Sequence, residues 1–159
     1  MKRLANTLLE LNKTISSCES FTGGLFASSL TSFPGISSVY KGSVVSYSNE
    51  VKIDVLGINH NLIQDFGAIS EQVAIEMALS TKRLLNTDIC ISFTGNAGPN
   101  PMEGKEVGLC YIAVVVLEQV HVFKIKFKGT RNQLRRSAVN YGSKQILEIL
   151  RTNALHNVI

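Results

Sequence analysis

The sequence predicts an α/β fold, a three-layer α/β/α sandwich built on a mixed, mostly parallel sheet. Segments with helical spacing of their apolar residues alternate with short β-branched runs along the chain. One run, residues 88–93, is apolar on both sides, and two later runs are joined closely enough to form an antiparallel hairpin. Helices that alternate with strands cover both faces of a sheet, and one hairpin makes that sheet mixed.

The size and composition of the chain are those of one ordinary domain, and we take residues 1–159 as that single domain. Its 159 residues are 45% hydrophobic and 18% charged, which suffices for a sizeable core. The longest apolar run, residues 112–117, is far too short to span a membrane, and polar residues interrupt any signal peptide near the start. The sequence therefore predicts a cytoplasmic protein with no membrane partner.

The N-terminal segment carries leucines three and four residues apart, which predicts an amphipathic first helix that ends at Asn12. An extended segment over residues 14–18 predicts the first strand. Two glycines then lead into a second helix over residues 25–30, which a Phe-Pro-Gly sequence ends. Residues 19–24 are therefore predicted to form a strand-to-helix turn.

The middle of the chain predicts a strand followed by two or three helices. Residues 39–47 alternate in polarity around Gly42, which is typical of a strand with a bulge or a close backbone approach at the glycine. Asn49 is the predicted cap of the next helix, and Ser70 begins a longer one. A polar connector over residues 59–67 has room for one short helix between them.

The C-terminal half predicts a buried central strand and a hairpin. Residues 88–93 form the central strand, which the loop at residues 94–101 stops. Residues 107–117 and 120–128 form the hairpin, linked by Glu118 and Gln119. In its second strand phenylalanine and isoleucine alternate with lysine, so the apolar side chains are expected to face inward and the lysines outward.

The last helix, with Thr130 as its predicted cap and a tail after Arg151 that we expect to fray, lies in a basic region. Between residues 119 and 144 there are seven Lys or Arg and no Asp or Glu. Such a region suggests an anionic ligand, either a phosphate group or a nucleic acid. A solvated lysine face on an edge strand explains the same charges equally well.

The three cysteines do not predict a metal site or a disulfide. Cys18, Cys90 and Cys110 are an odd number, lack metal-ligand spacing and lie in apolar stretches. Neither a zinc site nor a disulfide is therefore expected.

Two loops, residues 19–24 and 94–99, are the first candidates for a functional site, because ligands bind at the carboxyl ends of strands in open α/β sheets. The first loop offers the hydroxyls of Ser20 and Thr22. Its backbone N–H groups at Gly23 and Gly24 lie where a helix begins, which favours anions. An ordinary Ser/Thr helix cap with tightly packed glycines is the alternative interpretation.

A reactive serine in this loop needs a base other than histidine. The chain contains no Walker motif, no G-x-G-x-x-G and no G-x-S-x-G, and its three histidines lie in a connector, at a strand start and in the tail. Lys52 is the candidate, one helical turn beyond Tyr47. A desolvated lysine can act as a neutral base to Ser20, although a lone lysine there is more often a solvated helix residue.

Four motifs occur in order along the chain. They are Glu19-Ser20-x-Thr22-Gly23-Gly24; Pro34-Gly35-x-Ser37-x-Val39-x-x-Gly42-x-Val44-x-x-Tyr47-Ser48-Asn49-Glu50-x-Lys52; Gly67-Ala68-x-Ser70-Glu71; and Thr94-Gly95-x-Ala97-Gly98-Pro99. Together they resemble the C-terminal domain of the CinA (competence/damage-inducible) family, from the first strand to the last helix. The sequence lacks the larger N-terminal domain of fused CinA proteins and so resembles the stand-alone form.

The resemblance implies a nicotinamide-nucleotide amidase. Such an enzyme deamidates nicotinamide mononucleotide to nicotinic acid mononucleotide and ammonia, a step of NAD salvage, without a metal or organic cofactor. Position by position, it implies Ser20 as nucleophile, Lys52 as base and Tyr47 as a neighbour that orients or relays protons. It also implies that Thr94 and Gly95 line the substrate pocket and that Arg131 contacts the phosphate. On chemical grounds, loop N–H groups near Gly23 or Gly95 are the expected donors to an oxyanion.

The chain departs from the family pattern at three places. Phe21 stands where the family commonly has Cys, Asn96 where it has an aliphatic residue, and Asn100-Pro101 where Asp-Gly usually follows the proline. The altered second loop motivates an alternative function, a non-catalytic nucleotide or nucleic-acid binding module that keeps the pocket. Nucleic acid is the less expected ligand because no RNP, KH or helix-turn-helix signature occurs. We expect a homo-oligomer, since symmetric dimers are the commonest assemblies.

Overall fold

The computed structural model describes residues 1–156 and contains a five-stranded sheet with helices on both faces. In chain order the elements are α1 (Lys2–Leu11), β1 (Ile15–Glu19), α2 (Leu25–Thr31), β2 (Tyr40–Val44), α3 (Asn49–Asp54), α4 (His60–Phe66), α5 (Glu71–Leu85), β3 (Ile89–Gly95), β4 (Leu109–Val116), β5 (Gln119–Lys126) and α6 (Arg131–His156). A single 3-10 turn, Ile36–Ser38, precedes β2.

The strand order in the sheet is β2-β1-β3-β4-β5. The strands β2, β1 and β3 pair in parallel, and β3, β4 and β5 pair antiparallel, so four strands share one direction and β4 opposes them. This arrangement confirms the predicted mixed sheet. Glu19, the last residue of β1, is in register with Phe93 of β3. The loops that leave these two neighbouring strands therefore emerge side by side.

Apolar side chains fill both faces of the sheet. On one face α1, α2 and α6 pack through residues such as Leu4, Phe26 and Leu134. On the other face α5 packs through Ala74 and Ala78, and α3 and α4 enclose a smaller cluster beside it. The helices on each face make the three layers that the sequence predicts.

The N-terminal elements confirm their predicted positions, with one exception. Asn12 ends α1 in the left-handed conformation, at φ 48°. The register slips beside Gly42, since Ile15 pairs with Tyr40 but Ser16 pairs with Gly42, which is the predicted bulge. The strand β2, however, ends at Val44 rather than at residue 47.

One predicted cap and the hairpin turn are each displaced by one residue. Ser48, not Asn49, caps α3, because its Oγ accepts the Val51 N–H at 3.3 Å. The tight turn of the hairpin consists of residues 117 and 118 and not of Glu118 and Gln119. Thr130 directly precedes α6, at the predicted cap position. The hydrogen bond there is made by its backbone N–H, which donates to the side-chain oxygen of Gln133 at 2.8 Å. Ser70 caps α5 as predicted.

The helix α6 continues to His156, so the predicted fraying after Arg151 is wrong for residues 152–156, and residues 157–159 lie outside the described residues. Its polar composition fits the finding that no helix within residues 1–156 is long and apolar enough to cross a membrane. On β5, Phe123 and Ile125 pack towards the core while Lys124 and Lys126 are exposed, which confirms the predicted alternation.

The three cysteines are buried and free. Burial raises the pKa of each of these thiols, so they are protonated and behave as small apolar side chains.

Candidate active site

A cavity of about 360 Å³ opens at the carboxyl ends of β1 and β3. Six of the nine predicted site residues line it: Ser20, Tyr47, Lys52, Thr94, Gly95 and Arg131. The parallel pairing of β1 and β3 brings them together, because it places the two predicted loops at the same edge of the sheet. These six predicted residues therefore belong to one cavity.

Lys52 is a buried lysine whose amine faces Ser20. It lies in α3, is only 1% exposed, and its Nζ lies 3.4 Å from the Oγ of Ser20. The same Nζ donates to the carbonyl oxygens of Ser46 at 2.7 Å and Ser48 at 3.3 Å. Burial lowers the pKa of Lys52, while the nearby carboxylates of Glu103 and Glu50 act in the opposite direction. The environment therefore favours the neutral amine.

The two carbonyl oxygens also orient that amine. A neutral primary amine has two N–H donors and one lone pair, and carbonyl oxygens only accept hydrogen bonds. When the oxygens of Ser46 and Ser48 take both N–H groups, the lone pair is left for Ser20. A separation of 3.4 Å is long for a hydrogen bond but within the range of catalytic pairs before substrate binds. The pair is thus arranged for proton transfer from Ser20 to Lys52.

Ser20 follows directly after β1 and is held through its backbone. Its N–H donates to the carbonyl of Phe93 at 3.0 Å, and the N–H of Phe21 donates to the same oxygen at 3.2 Å. Gly23 and Gly24, at φ 57° and 90°, then turn the chain into α2 in the left-handed region that favours glycine. Gly24 caps α2 and does not line the cavity.

Glu19 is the buried carboxylate that anchors this loop. It accepts the Thr22 hydroxyl at 2.7 Å and the N–H groups of Phe26 and Ala27, each at 2.9 Å, at the start of α2. It forms no salt bridge with Lys52 among the residues described. Thr22 is fully buried against Glu19 and does not line the cavity, so its predicted substrate contact is replaced by a structural one.

Two arginines on α6 tie the loops together. Arg131 donates to the carbonyl of Gly98 at 2.8 Å and to the Tyr47 hydroxyl at 2.7 Å. Arg135, one turn later, donates through Nε at 3.1 Å and Nη2 at 2.7 Å to the carbonyl of Thr22. One helix end therefore holds all three loops around the cavity. The sequence analysis did not identify Arg135, although its spacing of four residues from Arg131 placed both on one helical face.

Tyr47 and the arginines also border a second, smaller cavity of about 250 Å³, which Gly23 lines as well. Guanidinium groups are the side chains that best match a phosphate or a carboxylate, so this cavity offers chemistry suited to an anion. The hydroxyl of Tyr47 bonds to Arg131 and, within the described chain, neither to Ser20 nor to Lys52. The predicted proton relay through Tyr47 stays a prediction, and its observed contact is with Arg131.

The second loop is organised by Asn96, the residue that departs from the family pattern. Asn96 is 1% exposed; its Nδ2 donates to the carbonyls of Asn100 at 2.9 Å and Lys105 at 3.1 Å, and its Oδ1 accepts the Gly98 N–H at 2.8 Å. These three bonds close the loop around one side chain. Thr94 lines the cavity, and its hydroxyl donates a hydrogen bond to the carbonyl of Ala68 at 2.7 Å.

Gly95 is required by close packing. A Cβ at this position would lie 2.5 Å from the carbonyl oxygen of Leu109 and 2.7 Å from the ring of Phe21. The absence of a side chain here lets the two loops touch.

Within residues 1–156 no group of three or more His, Cys, Asp or Glu side chains is placed to hold a metal ion. The chemistry available at the cavity is a hydroxyl, a desolvated amine and a nearby pair of guanidinium groups. The fold and the site thus define an α/β domain with a serine–lysine pair at the carboxyl edge of its sheet.

Comparison with known proteins identifies the family. The CinA C-terminal domain family matches residues 1–150, and the chain belongs to that family, as predicted. The chain is 44% identical over 147 residues to a putative competence-damage inducible protein of Listeria innocua, and 39% identical over 153 residues to a CinA-like protein of Petrotoga mobilis. These alignments cover 92% and 96% of this chain but only 35% and 38% of the relatives.

Solved structures show the same fold. A competence or damage-inducible protein from Enterobacter asburiae superposes with a TM-score of 0.91 at 29% identity, covering 94% of each chain. The competence/damage inducible protein CihA from Agrobacterium tumefaciens superposes with a TM-score of 0.88 at 29% identity, covering 92% of this chain and 91% of that one.

Proposed function

We propose that the protein is an amidohydrolase that converts nicotinamide mononucleotide to nicotinic acid mononucleotide and ammonia through an acyl-enzyme on Ser20. The observation that supports this most strongly is the buried amine of Lys52, 3.4 Å from Ser20 Oγ and hydrogen-bonded to two carbonyls that leave its lone pair for the hydroxyl. An activated nucleophile with an adjacent desolvated base is the requirement for acyl transfer without histidine.

In the proposed first half-reaction, neutral Lys52 takes the proton of Ser20 as Oγ attacks the carboxamide carbon. The tetrahedral intermediate carries an oxyanion, for which N–H groups near Gly23 or Gly95 are the predicted donors. The C–N bond then breaks, and Lys52 returns its proton to the nitrogen, which leaves as ammonia. The product of this half-reaction is an ester between Ser20 and the nicotinoyl group.

In the second half-reaction water attacks that ester. Lys52, neutral again, removes a proton from the water, and the C–O bond to Ser20 breaks as the serine recovers its hydrogen. The nucleotide leaves as a carboxylate. Lys52 therefore serves as base and acid in both halves, which suits an amine whose pKa burial lowers towards the working pH.

The charges next to the cavity support a mononucleotide as substrate. Arg131 and Arg135 border the second cavity, and Arg131 bonds there to two neutral acceptors. A phosphate dianion is a stronger acceptor for a guanidinium than a carbonyl or a phenol, so it is expected to displace them. A carboxamide at Ser20 and a phosphate at Arg131 are the two ends of the proposed substrate.

Ammonia release from purified protein with nicotinamide mononucleotide tests the proposal. Wild type is expected to release ammonia, and Ser20→Ala is expected to release none while it still binds the nucleotide. Ser38→Ala, an exposed serine remote from the cavity, is the matched control and should behave as wild type. Equal release by Ser20→Ala would contradict the mechanism. A folded wild type that binds the nucleotide but releases nothing would favour the binding module instead.

A further inference from the structure

Glu103 is a cavity residue that the sequence analysis did not identify. Its carboxylate lines the same cavity as Ser20 and Lys52. It sits on a tight turn closed by two backbone hydrogen bonds between Met102 and Lys105, at 3.1 and 2.8 Å. Glu103 and Gly104 both have positive φ in this turn, at 53° and 68°. A turn of this kind projects one side chain from a well-defined backbone.

Glu103 is an exposed residue of the cavity lining, and a backbone N–H holds its carboxylate. Its Oε2 accepts the N–H of Ile69 at 3.1 Å. Gly67 makes room for it, because a Cβ at that position would lie 2.6 Å from the same oxygen. Among the described residues no other group donates to this carboxylate, and no cation pairs with it. An acceptor group is therefore held at the cavity wall with its second oxygen unused.

The position of Glu103 relative to the reacting atoms decides which part of a substrate it meets. The N–H of Ile69 that holds it follows Ala68, whose carbonyl accepts the hydroxyl of Thr94. Thr94 follows Phe93, whose carbonyl accepts the N–H of Ser20, so Glu103 is attached to the part of the cavity wall next to Ser20. Arg131 lies with Tyr47 and Gly98, on the wall that faces the second cavity. A nucleotide that spans from Ser20 to Arg131 thus places its carboxamide ring, rather than its ribose, nearest Glu103.

We propose that Glu103 is a specificity-determining residue that selects substrates whose carboxamide-bearing ring is positively charged. This inference rests on the proposed function and concerns how the site distinguishes a charged ring from a neutral one. The ring of nicotinamide mononucleotide is a quaternised pyridinium cation, whereas its 1,4-dihydro form has the same amide, ribose and phosphate on a neutral ring. A carboxylate held near the ring attracts the pyridinium cation but has no charge–charge attraction to the neutral dihydro ring.

Binding to inactive protein tests the inference separately from catalysis. Equilibrium dissociation constants of the oxidised and the dihydro mononucleotide are measured on Ser20→Ala and on Ser20→Ala with Glu103→Gln. The same background with Glu106→Gln is the matched control, because Glu106 is exposed on the same loop and pairs with Lys126 outside the cavity. Melting temperatures of the three proteins show that they are equally folded.

We expect Glu103→Gln to weaken binding of the oxidised nucleotide by about two- to fivefold, the size of a partly screened charge pair, and to leave the dihydro form unchanged. The difference should shrink as ionic strength rises from about 0.05 M to about 0.5 M. An equal loss for both nucleotides would assign Glu103 to the ribose and overturn the inference, and so would no loss for either. Failure of both nucleotides to bind Ser20→Ala would overturn the proposed function and the inference with it.

Discussion

Removing the buried carboxylate of Glu19 is predicted to destabilise the whole domain. Glu19→Ala leaves the Thr22 hydroxyl and the N–H groups of Phe26 and Ala27 without their acceptor in a site closed to water. Each buried donor left unsatisfied costs about 1–3 kcal/mol. Relaxation of the loop recovers part of this, so we expect a loss of about 3–6 kcal/mol in the free energy of unfolding.

Glu19→Gln is the milder perturbation. The amide keeps one acceptor oxygen but presents its NH₂ to a donor, and it loses the negative charge at the start of α2. We expect a loss of about 2 kcal/mol, between wild type and the alanine variant. The matched control is Glu71→Gln at the start of α5, where the carboxylate is exposed, with an expected loss below about 1 kcal/mol.

Urea unfolding followed by circular dichroism measures these differences. The midpoint should fall in the order wild type, Glu19→Gln, Glu19→Ala, with an unchanged slope. In thermal unfolding the alanine variant should melt about 6–24 °C below wild type, since each kcal/mol lowers the midpoint of a domain of this size by about 2–4 °C. A Glu19→Ala protein within about 1 kcal/mol of wild type would refute the role of Glu19 as the anchor of the loop.

Three further predictions concern the residues around Ser20. Lys52→Met should lower ammonia release by about 10²–10⁴-fold. It should also raise the free energy of unfolding at pH 7. The folded-state pKa of Lys52 is lowered, so burying the charged amine costs stability below that pKa, and this cost disappears as the pH rises to the pKa of the unfolded chain. Stability equal to wild type at pH 7 would contradict this. Arg135→Lys, which loses the two-pronged contact with Thr22, should lower kcat about tenfold or more with little change in KM, whereas a change in KM alone would assign Arg135 to substrate binding. Asn96→Leu restores an aliphatic residue but removes three hydrogen bonds, and should cost about 1–3 kcal/mol and raise KM; unchanged stability would show that the loop does not depend on Asn96.

Local sequence signals predicted the layout of the fold because each element carries its own periodicity and caps. The leucine spacing of α1, the apolar run of β3 and the Ser70 cap of α5 depend on near neighbours only. The displaced cap at Ser48 shows the limit of such signals. Ser48 and Asn49 are both good caps, and only the backbone geometry at the end of the preceding loop decides between them.

The candidate site was predicted where motifs mark it and missed where contacts between distant segments make it. Ser20, Lys52 and Thr94 stand in motifs, whereas the bond from Arg135 to Thr22 joins positions 113 residues apart. The carboxylate of Glu103 meets Ile69 from a separation of 34 residues. No local pattern specifies such pairs. Thr22 does stand in a motif, but its hydroxyl, which was predicted to face a ligand, instead donates a hydrogen bond to Glu19.

Trapping with hydroxylamine tests the central claim, an acyl-enzyme formed by Ser20 with Lys52 as base, most directly. Hydroxylamine competes with water for a serine ester and yields a hydroxamate in place of the carboxylate. With nicotinamide mononucleotide as substrate, wild type is predicted to form the hydroxamate in proportion to added hydroxylamine. Ser20→Ala is predicted to form none, and Lys52→Met to form it about 10²–10⁴-fold more slowly. Ammonia release that continues in wild type with only carboxylate as product, and that survives in Ser20→Ala, would contradict the account.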